Sequence, residues 1–372
     1  MTGGAPPALR VGLTVEQCWQ PQPGGSGRYI RELVAELGDR PGLALTGLAA
    51  RHPSGDVPPE GALPIPVRHS SLPRPVLYRA WQQWRRPRAD RGADVVHATT
   101  WAIPGRRAPL VVTVHDLAFR DDPAHFTRHG AAFFERGLEL VRREAAEIIV
   151  PSAVTLAACL AAGLDAERLT VVPHGVRPPT VGAGQVTAFR ERLGLHRPYV
   201  LWTGTREPRK NLPVLVEAFR RLLRGDADLE LVLVGPEGWG PETDRLTRTE
   251  GAHVRVLGRL PPLDLECAYA GADVFCYPSL REGYGMPVTE AMAHGIPVVT
   301  SRGTATEEAA GGAAVLVDPL DADDVARGLA AALQPSARAA LRTASLDRAA
   351  TLSWATAADR TEAVLRRAAG RG

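Results

Sequence analysis

The chain has 372 residues, of which 45% are hydrophobic and 23% are charged, and its formal net charge is +3. This composition is typical of an ordinary soluble globular protein, and the net charge is too small for this length to indicate a general nucleic-acid binder. The first residues, MTGGAPPALRVGL, lack a signal-peptide pattern, and no apolar run approaches about 18 residues, so we expect a cytoplasmic protein. The length predicts two domains of roughly 180 residues each.

The candidate metal ligands of the chain do not form a recognisable site. Two Asp-Ala-Asp runs, at 226–228 and 321–323, occur in loop or helix-cap contexts where aspartate is expected. The four cysteines lack metal-ligand spacing, which favours buried free thiols; they are Cys18, Cys159, Cys267 and Cys276. We therefore expect neither a metal site nor a disulfide.

A glycine-rich stretch, QPQPGGSGRY, separates the first predicted strand (residues 9–15) from the first predicted helix (28–37). Gly25 and Gly27 allow the backbone to come close to a ligand just before a helix N-terminus. The match to a dinucleotide fingerprint is incomplete, because Ile30 occupies the place of its third glycine. Both a ligand contact and a plain loop-to-helix turn remain open.

The rest of the first half predicts alternating strands and helices. Strands are predicted at residues 43–49, 94–97, 110–114, 148–150 and 169–172, with helices from near 125 to 144 and from 152. His115 and Asp116 follow one of these strands directly, and ligands of open α/β sheets gather at the carboxyl ends of strands. A lone histidine is also common as a structural residue, so both roles stay open for His115.

The segment 77–91, LYRAWQQWRRPRADR, is basic and contains Trp81 and Trp84. It can lie on an anionic membrane surface or near a lipid-linked acceptor. The simpler interpretation is a connecting helix whose tryptophans pack inward.

The second half restarts after residues 177–186, which have the composition of a linker. A strand at 199–203 is followed by GTREPRKNL, in which Arg206, Arg209 and Lys210 precede a helix. Lys210 is the single lysine among 44 Lys and Arg residues. Because lysine offers a compact point charge that suits a phosphate, its place in this loop indicates a phosphate site that includes Gly204.

Further strands at residues 231–234, 254–257, 273–277 and 297–300 complete a series of repeated βα units. Such repeats predict a parallel sheet with helices on both faces. A last helix is predicted to run to about Arg367 and to pack back on the first domain.

The stretch SLREGYGMPVTEAMAHGIPVVT, residues 279–300, contains a predicted short helix at 287–294. Pro287 suits the first helical position and Gly295 the residue after the last turn. The N–H groups of Gly285, Met286 and Val288 would then lie at the positive end of the helix dipole, where an anion binds.

Two glutamates, Glu282 and Glu290, lie eight residues apart around this helix start. A carboxylate pair accepts hydrogen bonds from vicinal hydroxyls, such as those of a sugar or a ribose. Taken singly, Glu282 can be an ordinary loop residue. Glu290 can be a negative charge that the helix dipole stabilises in the first turn. Together with the anion site, the pair suggests a sugar nucleotide.

These motifs together resemble a family-four retaining glycosyltransferase of the GT-B fold, and the similarity covers nearly the whole chain. The motifs are GGSGRY at 24, HD at 115, VVPHGV at 171, GTREPRKN at 204 and EGYGMPVTEAMAHGIPVV at 282. The HDLAF and EPRKNL forms are most similar to the mannosyltransferase B-like branch. The resemblance implies two Rossmann-like domains with an interdomain cleft, here residues 1–178 and 179–350, followed by a C-terminal helix at 351–372.

The resemblance also implies a role for each matching residue. Glu282 would hold hydroxyls of the donor sugar and Glu290 the ribose, while Arg209 and Lys210 would neutralise the diphosphate. His115 would face the sugar from the other domain. Backbone groups would line the sugar, the diphosphate or the acceptor at Gly25, Gly27, Gly204, Gly283, Tyr284, Gly285 and Met286. Thr205 stands where some relatives have arginine, which leaves a phosphate role for Arg206 open.

The expected activity is transfer of a hexose, first of all mannose from GDP-mannose, to a saccharide or lipid-linked acceptor, with no metal and no cofactor besides the donor. Peripheral contact with the inner face of a membrane is a further possibility. The alternatives are a hexosyltransferase that uses a UDP-, ADP- or dTDP-sugar, and a sugar-nucleotide or polysaccharide binder without turnover. A dinucleotide-dependent oxidoreductase is a more distant rival, because the fingerprint is incomplete.

Overall fold

The computed structural model describes residues 7–53, 55–121, 127–224, 228–238 and 253–371. The chain divides into two compact units. The N-terminal unit runs through Gly175 and takes up the chain again from Trp354, and the C-terminal unit is Val176–Ser353. The sequence placed these divisions after residues 178 and 350.

The N-terminal unit contains a seven-stranded parallel sheet in the order β3-β2-β1-β4-β5-β6-β7. Its strands are β1 (Leu9–Thr14), β2 (Leu43–Ala49), β3 (Val67–His69), β4 (Val95–Ala98), β5 (Leu110–Thr113), β6 (Glu147–Val150) and β7 (Leu169–Val171). The central strands are apolar and buried because helices cover both faces of a parallel sheet.

The helices of the first 175 residues alternate with these strands. They are α1 (Gly24–Leu37), α2 (Arg74–Trp84), α3 (Ala118–Asp121), α4 (Arg128–Glu144) and α5 (Ala153–Ala161). The helix predicted from near residue 125 begins at Arg128, and residues 122–126 lie outside the described part of the chain. Thr127 and Ser152 cap α4 and α5 by accepting hydrogen bonds from Gly130 and Thr155.

The C-terminal unit contains a six-stranded parallel sheet in the order β10-β9-β8-β11-β12-β13. Its strands are β8 (Tyr199–Thr203), β9 (Glu230–Val234), β10 (Val254–Gly258), β11 (Val274–Tyr277), β12 (Val298–Ser301) and β13 (Val315–Val317). Its helices are α6 (Ala183–Leu193), α7 (Leu212–Leu223), α8 (Pro262–Ala270), α9 (Met286–Ala293), α10 (Ala305–Ala310), α11 (Ala322–Leu333) and α12 (Pro335–Ala350). The last helix, α13 (Trp354–Ala368), belongs to the N-terminal unit.

Each sheet reverses its winding direction once, and this reversal marks where a ligand is expected. The chain reverses between β1 and β4 in the first sheet and between β8 and β11 in the second. Ligands of doubly wound sheets bind beyond the carboxyl ends of the strands at such a switch point. The predicted class of two doubly wound, Rossmann-like parallel-sheet domains is therefore confirmed.

Separate hydrophobic cores stabilise the two units. The core of the C-terminal unit includes Trp202, Phe219 and Phe275, all fully buried. The core of the N-terminal unit includes Val112 and Leu140. The four cysteines are free and buried, as the sequence predicted.

Four local features differ from the prediction. Helix α6 begins at Ala183, inside the stretch 177–186 whose composition indicated a linker. Helix α1 begins at Gly24 and not at Arg28, so the glycines lie in its first turns. Helix α2 ends at Trp84, because Arg85 takes a left-handed conformation (φ 55°). Strands β3 and β13 were not predicted; each has only three residues, which is too short for a periodic pattern.

The tryptophans of α2 have different environments. Trp81 is 4% exposed and packs inward, whereas Trp84 is 65% exposed. The inward packing predicted for both is therefore wrong for Trp84. Within the described residues, no helix is long and apolar enough to cross a membrane.

The Asp-Ala-Asp runs are not gathered into a metal-binding cluster in the described part of the chain. The Asp321 side chain caps α11 by accepting a hydrogen bond from the N–H of Asp323 at 2.8 Å. Asp226 lies outside the described residues, and Asp228 forms an ion pair with Arg197. Among the described residues, no group of three or more His, Cys, Asp or Glu side chains could hold a metal ion.

Helix α13 completes the core of the N-terminal unit. The Trp354 side chain is 2% exposed and stacks on His174, with ring centroids 5.8 Å apart. Arg40 forms ion pairs with Glu362 at 3.1 Å and with Asp359 at 2.6 Å. The buried tryptophan gives most of the stabilisation, since partly exposed ion pairs contribute little.

We expect Trp354→Ala to lower the free energy of unfolding of the N-terminal unit by about 3–5 kcal/mol, because it leaves a large cavity in a packed core. Urea unfolding followed by circular dichroism measures the effect. The matched control is Trp84→Ala, which removes an exposed tryptophan and should stay within about 0.5 kcal/mol of the parent. Equal effects of the two substitutions would contradict the packing of α13.

Candidate functional site

The candidate site of the C-terminal unit lies at its switch point. Strand β8 ends at Thr203 and leads into the loop with Arg209 and Lys210, and β11 ends at Tyr277 and leads to Glu282. These two strands are neighbours in the sheet. Residues far apart in sequence are therefore brought to the same edge.

A buried carboxylate and two cations form the centre of this site. The Nζ of Lys210 lies 3.1 Å from Oε1 of Glu282, and Nη1 of Arg209 lies 2.7 Å from Oε2. The side chains of Lys210 and Glu282 are 8% and 10% exposed, and that of Arg209 is 25% exposed. Arg209 also donates to Glu207 at 2.8 Å, which holds its guanidinium from a second side. The three residues that the sequence assigned to the sugar and to the diphosphate thus lie together, and their direct ion pairs were not predicted.

Two hydroxyls that the sequence reading missed also donate to Glu282. The hydroxyls of Tyr277 and Ser279 lie 2.8 and 3.1 Å from Oε1. The Tyr277 hydroxyl also accepts a hydrogen bond from Nζ of Lys210. Ser279 follows β11 at its carboxyl end, and a polar residue at such a position was the signal available in the sequence. Tyr277 is the last residue of the strand and is indistinguishable from a core aromatic residue in the sequence.

The charges of this cluster determine its protonation. Burial alone would raise the pKa of Glu282, but the positive charges of Arg209 and Lys210 outweigh it and lower that pKa from 4.5 to about 2. Burial also lowers the pKa of Lys210, and the opposing charge of Glu282 only partly offsets the effect. Burial raises the pKa of Tyr277 well above its usual value, so its hydroxyl stays protonated.

Gly204 gives Lys210 the room it occupies. Its backbone has φ 146°, and a Cβ atom there would lie 3.2–3.3 Å from the end of the Lys210 side chain. Asn211 follows in a left-handed conformation and donates to the carbonyls of Pro278 and Pro319. The lysine side chain therefore lies against the backbone of Gly204, and the residue after it is anchored to two carbonyls.

The N-terminus of α9 offers fewer free amides than predicted. The N–H of Val288 donates to the carbonyl of Gly285 at 2.9 Å, and Pro287 has no N–H. The expected anion site is narrowed to the amides of Gly285 and Met286. Gly285 has φ 102°, and a Cβ there would meet Thr306 at 2.8 Å, so this glycine is also needed for packing. The neighbouring Gly283 and Tyr284 are buried.

The second glutamate takes part in a separate hydrogen-bonded chain. Oε2 of Glu290 accepts from the Tyr269 hydroxyl at 2.9 Å, and that hydroxyl lies 2.7 Å from Oγ1 of Thr203. Glu290 lies within helix α9, as predicted, and is partly exposed. Tyr269 is a third residue that the sequence reading missed, because its helix carries no motif.

The third cation of the loop is not part of the Glu282 cluster. Arg206 is 4% exposed, and its Nη2 lies 3.4 Å from Glu237. The phosphate role that the sequence left open for Arg206 stays a prediction.

In the N-terminal unit, His115 lies just beyond β5, as the sequence indicated. Its Nε2 is 3.0 Å from the carbonyl oxygen of Thr99, which can only accept, so Nε2 carries the proton. Burial lowers the pKa of His115, which keeps the ring neutral. The other ring nitrogen, Nδ1, is then a hydrogen-bond acceptor.

The glycines at the start of α1 have different surroundings. Gly25 is exposed in the first turn. The N–H of Gly27 donates to the carbonyl of Pro23 at 3.1 Å, and a Cβ at Gly27 would lie 2.3 Å from Cβ of Pro23. Close packing against Pro23 therefore explains Gly27 without a ligand, whereas Gly25 remains available.

Two family models match different parts of the chain, one in each unit. Residues 23–178 match glycosyltransferase family 4, and residues 197–335 match glycosyl transferases group 1. With the two Rossmann-like units, these matches define the class as GT-B glycosyltransferases. The chain belongs to the family-4 glycosyltransferases, as the sequence motifs indicated.

Similar proteins have different named activities. The chain is 29% identical to O-antigen chain mannosyltransferase B of Escherichia coli over 70% of this chain and 71% of that protein. It is 32% identical to D-inositol 3-phosphate glycosyltransferase 1 of Catenulispora acidiphila over 77% and 75% of the two chains. The solved structure of Anabaena HepE in complex with UDP and glucose superposes with a TM-score of 0.74 at 20% identity, covering 96% of this chain and all of that one. The last likeness concerns the fold alone.

The Glu282 ion pairs make stability depend on pH. Because the folded pKa lies below the unfolded value, their contribution is present above about pH 4.5 and is lost as the pH falls towards 2. We expect the free energy of unfolding to fall by about 3 kcal/mol between pH 4.5 and pH 2 for this reason. Glu282→Gln removes the titrating group, so the free energy of unfolding of this variant should fall less over the same pH range. At pH 7 the same substitution should destabilise the protein by about 3 kcal/mol, since it removes the ion pair of the buried Lys210, whereas Arg209 keeps its pair with Glu207.

Urea unfolding at a series of pH values measures both effects. The matched control is Glu217→Gln, which removes a more exposed glutamate that pairs with Arg221 on α7. The assignment is wrong if Glu282→Gln loses stability in parallel with the parent protein on acidification.

Proposed function

We propose that this protein transfers a hexosyl group from a nucleoside diphosphate sugar to a hydroxyl of a saccharide or glycolipid, with retention of anomeric configuration and without a metal ion. The observation that carries the proposal is the cluster of Lys210, Arg209 and Glu282 at the switch point of the C-terminal unit. A pair of fixed cations beside the start of a helix is suited to a diphosphate.

The cations act on the leaving group. As the bond between the anomeric carbon and the diphosphate oxygen breaks, negative charge grows on the diphosphate, and Arg209 and Lys210 stabilise it without reorganisation. The acceptor oxygen then bonds to the anomeric carbon on the face that the leaving group vacates, and its proton passes to a diphosphate oxygen. The amides of Gly285 and Met286 contribute further donors to the phosphates.

The carboxylates bind hydroxyls. A carboxylate accepts about four hydrogen bonds, and Glu282 already receives four, from Tyr277, Ser279, Lys210 and Arg209. A bound diphosphate gives the two cations a second anion, so that oxygen lone pairs of Glu282 become available to the donor sugar. Glu290 meets the ribose hydroxyls, with Tyr269 holding its other side.

Other predicted residues have smaller roles. His115 accepts a hydrogen bond from a substrate hydroxyl through Nδ1. Gly204 keeps the space in which Lys210 lies, and the backbone of Gly283 and Tyr284 lines the donor site. Gly25 approaches a phosphate or the acceptor at the start of α1, and Gly27 serves only to pack that turn.

The donor is proposed to be GDP-mannose, which the similarity to a mannosyltransferase supports. A UDP-, ADP- or dTDP-sugar is the alternative, and the UDP and glucose in the HepE structure favour testing UDP-glucose first among these. A sugar-nucleotide binder without turnover would bind the same donors and release no nucleotide.

We also propose that the region around α2 contacts an anionic membrane surface on its cytoplasmic side, where a lipid-linked acceptor would be found. Residues 61–89 contain six arginines and no aspartate or glutamate. Trp84 and Val76 are exposed beside them, and a tryptophan next to basic residues is suited to the lipid–water interface. This charge complementarity favours anionic lipid over a neutral surface.

Replacing Lys210 by Ala should lower hexosyl transfer by about 10²–10³-fold, because the growing charge on the diphosphate loses a fixed donor. Nucleotide release from GDP-mannose, UDP-glucose, ADP-glucose and dTDP-glucose, with and without saccharide acceptors, measures the effect and identifies the donor. The matched control is Arg220→Ala, which removes an exposed cation from α7 and should retain full activity.

The anomeric configuration of the product, read by NMR, tests retention, and activity in excess EDTA tests independence from metal. Donor binding without any nucleotide release would leave the binder as the correct interpretation. Unchanged turnover in Lys210→Ala would contradict the proposed mechanism.

Sedimentation with vesicles tests the membrane contact. We expect binding to vesicles that contain phosphatidylglycerol and no binding to pure phosphatidylcholine, with loss of binding in high salt. Trp84→Ala, and separately Arg86→Glu with Arg88→Glu, should each weaken binding about tenfold. The control is Leu320→Ala, at a 77% exposed apolar residue of the other unit, which should bind normally. Equal binding to both vesicle types would refute the contact.

A further inference from the structure

Tyr277 links the two charged groups of the site through one oxygen atom. Its hydroxyl donates to Oε1 of Glu282 at 2.8 Å and accepts from Nζ of Lys210. The direction of both hydrogen bonds is fixed, because an ammonium group can only donate and an ionised carboxylate can only accept. The single proton of the hydroxyl therefore points to Glu282.

The core holds this hydroxyl in place. Tyr277 is the last residue of β11 and is fully buried. Its ring stacks on Phe275 and Trp202, with centroids 5.8 and 6.4 Å away. Nζ of Lys210 lies 5.0 Å from the ring centroid, beyond the hydroxyl, so the ammonium contacts Tyr277 through its oxygen. A buried aromatic ring has little rotamer freedom, and the oxygen at its end is correspondingly rigid.

The other partners of Glu282 are held less firmly. Arg209 is one-quarter exposed and also bonds to Glu207. Ser279 has one proton and three acceptors within 3.1 Å, which are the carbonyls of Arg209 and Arg281 and the carboxylate. Tyr277 is therefore the partner of Glu282 that stays in place when Arg209 and Lys210 bind a diphosphate.

We propose that Tyr277 is a positioning residue whose hydroxyl aligns Lys210 and Glu282 for the donor. The ammonium of Lys210 has three N–H groups, and Tyr277 and Glu282 take two of them. Their positions direct the third towards a phosphate oxygen. The catalytic part of this inference rests on the proposed hexosyl transfer, whereas the electrostatic part rests on the contacts alone.

Loss of the hydroxyl affects both charged groups. The charged groups that face Lys210 and Tyr277 are Glu282, Arg209 and Glu207. A hydrogen bond to a charged form favours that form, so the Tyr277 oxygen stabilises both the ammonium and the carboxylate. Tyr277→Phe should lower the pKa of Lys210 and raise the pKa of Glu282. The pH range in which both are charged becomes narrower from both sides.

Lys210 is the only lysine of the chain, which makes its titration directly observable. Protein labelled with ¹³Cε-lysine gives one side-chain signal, and we expect Tyr277→Phe to lower its pKa by about one unit. The matched control is Tyr199→Phe, which removes a buried hydroxyl that donates to the carbonyl of Ala268 in the same unit. The control should leave the Lys210 pKa unchanged, and urea unfolding of both variants verifies that they fold. A Lys210 pKa that does not move in Tyr277→Phe overturns the proposal.

Kinetics tests the catalytic part. Tyr277→Phe should lower kcat about tenfold with the donor KM changed less than about threefold, because the phosphate contacts remain but their alignment is lost. The pH profile of kcat should narrow at its acidic and its basic limb. In a Glu282→Gln background, Tyr277→Phe should lower kcat by a much smaller factor, since the two substitutions remove the same contact. Equal costs in both backgrounds, or an unaltered pH profile, refute the positioning role.

The failure of the proposed function gives a different result. In that case the parent protein transfers no sugar, and GDP or UDP leaves the Lys210 signal unchanged, while Tyr277→Phe still moves the Lys210 pKa. If nucleoside diphosphate shifts the signal in the parent and Tyr277→Phe moves neither the pKa nor kcat, the proposed function stands and the role of Tyr277 is wrong.

Discussion

The structure of the C-terminal unit depends on one buried carboxylate that balances two cations. Glu282 forms ion pairs with both Arg209 and Lys210, and without it the buried ammonium would lose its ion pair while Arg209 would keep only Glu207. The rest of the local structure follows from this requirement. The open backbone at Gly204 admits the lysine, and Tyr277 and Ser279 satisfy the remaining lone pairs of the carboxylate.

The same balance suits the chemistry of a family-4 glycosyltransferase. Cations that are paired with Glu282 cost less to keep buried than unpaired ones, and in the proposed mechanism the diphosphate becomes their second anion. A site built in this way is folded and charged before the donor binds, so that little reorganisation remains for the reaction. Glu290, on a separate hydrogen-bonded chain with Tyr269, stays independent of this exchange.

The sequence contained most of the fold but only part of the site. Apolar runs such as 199–203 predicted the strands, because buried parallel strands leave a strong pattern. The lone lysine and the two glutamates were also visible, since their spacing and rarity are sequence properties. Tyr277 and Tyr269 could not be assigned, because an aromatic residue at a strand end or within a helix is usually part of the core. The hydrogen bond from the N–H of Val288 to the carbonyl of Gly285 was likewise not predictable, because it depends on the backbone conformation of Gly285.

The return of the chain to its first unit affects biosynthesis. Trp354 and helix α13 fill the core of the N-terminal unit, although the whole C-terminal unit lies between them and the rest of that unit along the chain. Domains usually fold as units while translation proceeds from the N-terminus. Here the first 175 residues must wait for the whole C-terminal unit to be translated before their own packing is complete. Until Trp354 is added, the nascent chain lacks the side chain that closes this core, so part of its apolar surface stays open to solvent.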